Sequence, residues 1–399
     1  MEIIRRAYSS MIDASLREHR QMAFVSGPRQ VGKTTTCREM GEVYLDWDNE
    51  DHRMLILEGP AAVAAHAGVE RLSQGPIRIV FDELHKYKRW KQFLKGFFDT
   101  YEAQFRIMVT GSSRLDVYRK GGDSLMGRYF LYRMHPLSVA ELCRPEGPIA
   151  HFPAPMRLPD ADWQALWEFG GHPEPFLKRS PSFSRRWQQL RQQQLLREDI
   201  RDGTAIQDVD QLAVLARLLA ESSGGQLVYA TLAKQVRVSE NTIRSWVGTL
   251  CAFHYGFIVR PWHQNVAKAL RKEPKWFLRD WSGIDDPGKR AETFCACHLL
   301  KAVEAWTDLG MGQFELRYIR DLQKREVDFV VLRDGQPWFL VEAKHSDATL
   351  SKSLAHFQKE TGAAHAFQVT MQADYVAADC FARHNPTIVP ARTFFSQLF

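Results

Sequence analysis

The eight residues Gly27-Pro28-Arg29-Gln30-Val31-Gly32-Lys33-Thr34 constrain this chain more than any others. The pattern Gly-x-x-x-x-Gly-Lys-Thr has a mechanical meaning. Its glycines let backbone N–H groups wrap around phosphate oxygens, and the helix that follows points its positive end at them. Met22–Ser26 is a short apolar strand that runs straight into the loop, and 34–40 reads as the opening of a helix. Strand before and helix after is the context the motif requires. Lys33 would then reach the β- and γ-phosphates of ATP, and the Thr34 hydroxyl would ligate Mg²⁺. The chain reads as a P-loop ATPase.

The supporting parts follow in order. Residues 43–46, 77–81 and 105–110 are apolar runs expected to be strands, with 90–101 a helix between the last two. Strand and helix alternate, as in a doubly wound α/β domain. Asp82-Glu83 closes the second of these strands, which puts both carboxylates at the carboxyl edge of the sheet beside the loop. Asp82 would hold Mg²⁺ through water, and Glu83 would orient or deprotonate the attacking water. Thr110-Gly111-Ser112-Ser113 closes the next strand. Ser112 is a candidate γ-phosphate sensor, and a capping or turn role for either serine is equally open.

At 399 residues the chain is long enough for two or three domains. With 45% hydrophobic and 25% charged residues it has the composition of an ordinary soluble globular protein. No apolar run approaches the ~18 residues of a membrane span, and Met-Glu-Ile-Ile-Arg-Arg has no signal-peptide core. Six cysteines without a framework spacing fit a reducing cytoplasm. Cys295, Cys297 and His298 have no second ligand pair nearby and read as core rather than as a metal site. The net charge of +6 permits nucleic-acid binding without demanding it. Residues 260–290 hold eight Lys or Arg against four acids. That stretch is either a basic surface for DNA or a solvated face with charge to spare.

Pro145, Pro148, Pro153, Pro155 and Pro159 exclude regular structure and mark a border. Residues 161–222 read as mostly helical. Helices at 229–236 and 240–253, a turn between them and a strand at 257–261 outline a winged helix-turn-helix, with Ser239 as N-cap of its second helix. Glu240, Asn241, Arg244 and Ser245 have the chemistry to meet base edges or phosphates. Strand candidates at 275–278, 314–319, 327–332 and 338–341, with a helix at 291–309, make a second α/β unit.

That unit carries a second group of charges. Arg325-Glu-Val-Asp328 is followed, through an Asp334-Gly335 hairpin turn, by Trp338-Phe-Leu-Val-Glu342-Ala-Lys344. Side chains alternate on a strand, so Glu342 and Lys344 share a face. Asp328, Glu342 and Lys344 converging there would suit a hard divalent cation that activates water against a phosphodiester. The alternative is a purely structural cluster in which the acids are partners of Arg325 and Lys344.

These residues resemble a known arrangement. Gly27 to Thr35, Phe81-Asp-Glu83, Thr110-Gly-Ser-Ser113, Gly127-Arg-Tyr129, His135-Pro-Leu-Ser-Val-Ala-Glu-Leu142 and Gly170-Gly-His-Pro-Glu-Pro175 are similar to AAA-type ATPases of bacteria and archaea with a C-terminal domain of uncharacterised function. The resemblance implies that Thr35 joins the nucleotide site, and that Arg128 acts on the γ-phosphate from its own or a neighbouring subunit, a structural ion pair being the alternative. It also implies a homo-oligomer, hexameric rings being common in that group. His85 stands where the family usually has Gln. The C-terminal part resembles the PD-(D/E)xK nuclease fold, in which Glu292, Asp328, Glu342 and Lys344 would be catalytic and a second divalent metal would sit on Asp328 and Glu342.

The expected fold class is therefore α/β throughout. It comprises an AAA-type core at 1–145, a helical region at 161–222, a winged helix at 223–263 and a restriction-endonuclease-like domain at 264–399. Two functions fit: ATP hydrolysis coupled to DNA binding or processing, or a nucleotide-controlled switch whose later domains bind a protein partner without cleavage.

Overall fold

A computed structural model of the protein describes residues 4–70, 75–111, 125–147, 152–201, 204, 206, 208–263, 273–346 and 349–399. The chain divides into two compact units, Met1–His135 with Pro145–Gly147, and Pro136–Arg144 with Pro148–Phe399. The described residues of the Pro145–Pro159 stretch contain no helix or strand.

The first unit is built on five strands: β1 (Met22–Ser26), β2 (Val43–Asp46), β3 (Ile77–Asp82), β4 (Phe105–Thr110) and β5 (Tyr129–Arg133). They lie in the order β2-β3-β4-β1-β5 and every pairing is parallel. Burial on both faces explains why β1 is apolar without alternation. The inserted β4 separates β1 from β3, so the carboxyl ends of all three open on one edge. Helix Trp90–Tyr101 covers one face with Trp90, Phe93, Leu94, Phe97 and Phe98 buried, the i, i+3, i+4, i+7 pattern of an amphipathic helix. Phe81 meets Phe93 and Phe97 edge-on at 5.6 and 5.5 Å. This packing fixes the end of β3, and with it Asp82 and Glu83.

The second unit begins with helices Asp160–Phe169, Pro173–Lys178 and Pro181–Gln194. Helices Val209–Glu221, Tyr229–Val236 and Glu240–Ala252 follow and share one core, which includes Leu215, Leu232, Ile243, Trp246 and Trp276. Ser239 caps the last of them, its side chain accepting from Thr242 N at 3.1 Å. Seven strands then form one sheet: β6 (Gly256–Pro261), β7 (Lys275–Leu278), β8 (Phe314–Arg320), β9 (Glu326–Arg333), β10 (Gln336–Lys344), β11 (His365–Thr370) and β12 (Thr387–Pro390). Their order is β12-β11-β10-β9-β8-β6-β7. The sheet thus runs across residue 263, where the sequence reading places a border. β9 and β10 are joined through Asp334 and Gly335, both at positive φ (51° and 80°), with Gln336 opposite Arg333. Helix Pro287–Asp308 packs on this sheet.

His298 lies inside that helix and is a core residue. Its Nε2 accepts from Val139 N at 3.2 Å, so its Nδ1–H donates to Phe294 O at 2.9 Å. Burial lowers its pKa to about 3, which keeps the ring neutral. Cys295 is buried beside it. No described helix is long and apolar enough to cross a membrane.

Candidate nucleotide site and a second carboxylate cluster

The phosphate loop is set by backbone geometry. Gly27 has φ +143°, and a Cβ there would lie 2.1 Å from Met134 O, so no other residue fits. Gln30 and Gly32 also take positive φ, at 61° and 98°. Helix Lys33–Met40 starts at Gly32 with no side-chain cap, which leaves its first-turn N–H groups and positive dipole end to the loop. Pro28 and Val31 are buried, Arg29, Gln30, Thr34 and Thr35 are exposed, and Lys33 is folded back over the loop. Its Nζ donates to Gly27 O at 3.0 Å and Pro28 O at 2.7 Å. Burial lowers the Lys33 pKa to about 8, against the opposing pull of Glu83 and Asp82.

Arg6 braces the loop from below. It is buried, donating through Nη1 to Val31 O and through Nη2 to His135 O at 2.6 Å. His135 N in turn donates to the Tyr8 hydroxyl at 3.1 Å. Neither Arg6 nor Tyr8 is legible as a site residue from the sequence, because the carbonyls Arg6 holds lie 25 and 129 residues away.

Asp82 stands at the end of β3 and is held from three sides. Its Oδ1 accepts from the Thr110 hydroxyl and from Glu83 N, and its Oδ2 accepts from Tyr44 OH at 2.7 Å. Burial first, and then this bond, push the Tyr44 pKa well up, so the phenol remains a donor. Thr110 and Tyr44 are therefore positioning residues. The apolar strand runs foretold their strands but not this contact. Glu83 occupies the left-handed region at φ +53°, uncommon for a residue with a Cβ. Its Oε2 lies 3.4 Å from Lys86 Nζ and 3.7 Å from His85 Nε2. Burial raises its pKa, a direction that suits a group meant to take a proton.

Two expected partners are placed otherwise. Ser112 lies outside the described residues. Arg128 precedes β5 at the amino end of the sheet, a five-residue strand away from the loop, or about 17 Å. It forms a two-pronged ion pair with Asp99, Nε–Oδ1 at 2.7 Å and Nη2–Oδ2 at 2.9 Å. A role on the phosphate of its own chain is incompatible with that position.

The C-terminal acids meet on the second sheet, with an addition. Lys275, at the head of β7, reaches Glu292 Oε1 at 2.8 Å, Glu326 Oε1 at 2.6 Å and Asp328 Oδ1 at 3.4 Å. The other Asp328 oxygen accepts from Ala343 N at 3.0 Å. Lys344 Nζ lies 3.0 Å from Glu342 Oε1, while Glu342 Oε2 is buried with no hydrogen-bond partner. Burial opposes charging Lys275, but Asp328, Glu292 and Glu326 outweigh it and raise its pKa. Burial, then Asp328, push Glu292 to about 8 and Glu342 to about 7. Gly224 makes room here, since a Cβ would sit 2.8 Å from Glu292 Oε2.

Glu326 and Lys275 were missed by sequence reasoning. Glu326 is two residues before Asp328, hence on the same strand face. Lys275 is a charge opening an apolar strand. Among the described residues no three His, Cys, Asp or Glu side chains are grouped to hold a metal ion. The divalent metal expected on Asp328 and Glu342 fits this donor set poorly, because the buried Lys275 ammonium already faces Asp328, Glu292 and Glu326 and would repel it.

An all-parallel sheet with a glycine loop after β1 and an acidic pair after β3 defines a nucleotide-binding P-loop domain. Residues 19–143 match the sequence profile of an AAA domain. Residues 160–283 and 287–388 match two domains of unknown function, DUF8612 and DUF4143. Uncharacterized proteins of Mycobacterium bovis (Mb2031c) and Mycobacterium tuberculosis (Rv2008c) are each 25% identical over 368 residues, covering 86% of this chain and 76% of theirs. Among solved structures, AMPPCP-bound DnaA from Aquifex aeolicus is 12% identical with a TM-score of 0.32, covering 63% of this chain and 88% of its own. PCH-2 of C. elegans is 10% identical with a TM-score of 0.25, covering 53% and 60%. Likenesses this faint carry no argument about this chain.

Proposed function

We propose that the protein hydrolyses ATP at the Gly27–Thr34 loop and couples this to binding of DNA by its second unit. The observation that carries the first part is the uncapped helix start behind the loop, facing a buried Asp82 and a Glu83 with raised pKa across β4. Loop N–H groups and Lys33 hold the β- and γ-phosphates, Lys33 exchanging its two carbonyl partners for phosphate oxygens. Mg²⁺, on the Thr34 hydroxyl and through water on Asp82, would neutralise charge on the transferred phosphoryl group. Tyr44 and Thr110 keep Asp82 aimed. Glu83 orients the attacking water and takes its proton.

DNA binding draws support from the second unit. Its three helices followed by the antiparallel β6–β7 pair have the order of a winged helix. Glu240, Asn241, Arg244 and Ser245 are exposed on the last helix. The test is DNA affinity against salt concentration, with and without ATP. Affinity should fall linearly in log-log form and respond to nucleotide, and absence of binding at low salt would sink this part. Nucleotide hydrolysis by the same protein, lost in Lys33→Ala, is scored separately.

A further inference from the structure

A fold of the second unit's kind, with Asp328 and Glu342-x-Lys344 on neighbouring strands, leads one to expect a divalent metal. The place such an ion would take is already claimed. We propose that Lys275 is the resident cation of this carboxylate cluster and that the site works without a divalent metal.

Three features carry this. The first is donor geometry. An ammonium has three N–H donors, and Lys275 points at three carboxylates, Glu292, Glu326 and Asp328, at 2.8, 2.6 and 3.4 Å. The second is that most of the oxygens a metal would need are already engaged, although Glu342 Oε2 is left without a partner. Asp328 Oδ2 accepts from Ala343 N at 3.0 Å, Glu326 Oε2 lies 3.4 Å from Arg320 Nη1, and Glu342 Oε1 lies 3.0 Å from Lys344 Nζ. A metal on Asp328 would sit ~2.0–2.6 Å from an oxygen that already faces an ammonium, and the two cations would repel.

The third feature is that Lys275 is anchored. Its side chain is 5% exposed and its ammonium lies 5.6 Å from the Tyr318 ring centre. The backbone on either side is laddered: Leu227 N donates to Pro274 O at 2.7 Å and Trp276 N to Gly225 O at 3.0 Å, while Lys275 stands opposite Val259. The ladder fixes the Lys275 backbone, so the ammonium can leave the cluster only by a change of side-chain rotamer. The charge count agrees. Four acids (Glu292, Glu326, Asp328, Glu342) face three cations, Lys275, Lys344 and Arg320, and Lys275 alone meets three of the four.

The test is Mn²⁺ binding to the full chain without nucleotide, read by electron paramagnetic resonance and calorimetry. Wild type should show no site that depends on Asp328. Lys275→Met should gain one, at least tenfold tighter than any wild-type site and removed again by adding Asp328→Asn. If Lys275→Met does not fold, Lys275→Met with Glu326→Gln balances the charge and carries the same measurement. A wild-type Mn²⁺ site lost in Asp328→Asn overturns the proposal. So does a folded Lys275→Met protein that still takes no Mn²⁺, since Lys275 would then not be what excludes it. The readout involves no DNA and no ATP, so it stands or falls apart from the function proposed above.

Discussion

Lys33 is a buried cation held by two carbonyls, and that has a pH consequence. Its pKa in the free protein is lowered to about 8, while phosphate oxygens would raise it again. Binding above pH 8 must therefore take up a proton, and nucleotide affinity should fall by up to about tenfold per pH unit beyond that point. By the same linkage the nucleotide-free unit gains stability as pH rises from about 8 toward the ordinary lysine value of 10.5. A fluorescent-nucleotide titration from pH 7 to 9.5 measures the first effect, and a flat profile would refute it. Glu83→Gln should keep nucleotide affinity and lose roughly 10²–10⁴ in turnover. Glu83→Gly should be equally inactive yet melt higher, because glycine relieves the cost of about 1 kcal/mol for a side chain at φ +53°. Arg6→Ala should weaken nucleotide binding although Arg6 touches no phosphate, and a matching loss of helix signal would mean simple unfolding instead. The loop itself was legible because its residues are contiguous. Arg6, Tyr44, Thr110 and Lys275 were not, because each acts on a partner brought near only by the folded sheet.

Elements were read more completely than sites. Apolar runs gave β1, β3 and β4, and Asp334-Gly335 gave the β9–β10 hairpin, since both signals are local. Sheet order was not readable, because no local pattern tells that β4 slips between β1 and β3. Ser239→Ala tests the cap of helix Glu240–Ala252. The expected loss is about 1 kcal/mol in thermal unfolding, with little change in ATP hydrolysis. On the exposed face of that helix, Arg244→Ala should weaken DNA binding and flatten its salt dependence by about one phosphate contact. An unchanged slope would move the interface elsewhere.

At the scale of the whole molecule, the sequence foretold an α/β chain with a nucleotide domain first, but it placed the border at 263 from a local helix-turn-helix-strand outline. The sheet of the second unit ignores the border at 263: β6 pairs in parallel with β8 through Arg260 and Pro261, and β7 lies beyond β6. Anyone dissecting the protein by cutting there would part β6 from both β7 and β8, leaving raw rows of N–H and C=O groups on one fragment and a lone strand on the other. Such fragments should be sticky and poorly soluble, however sensible they look on paper. The second unit is to be expressed whole or not at all.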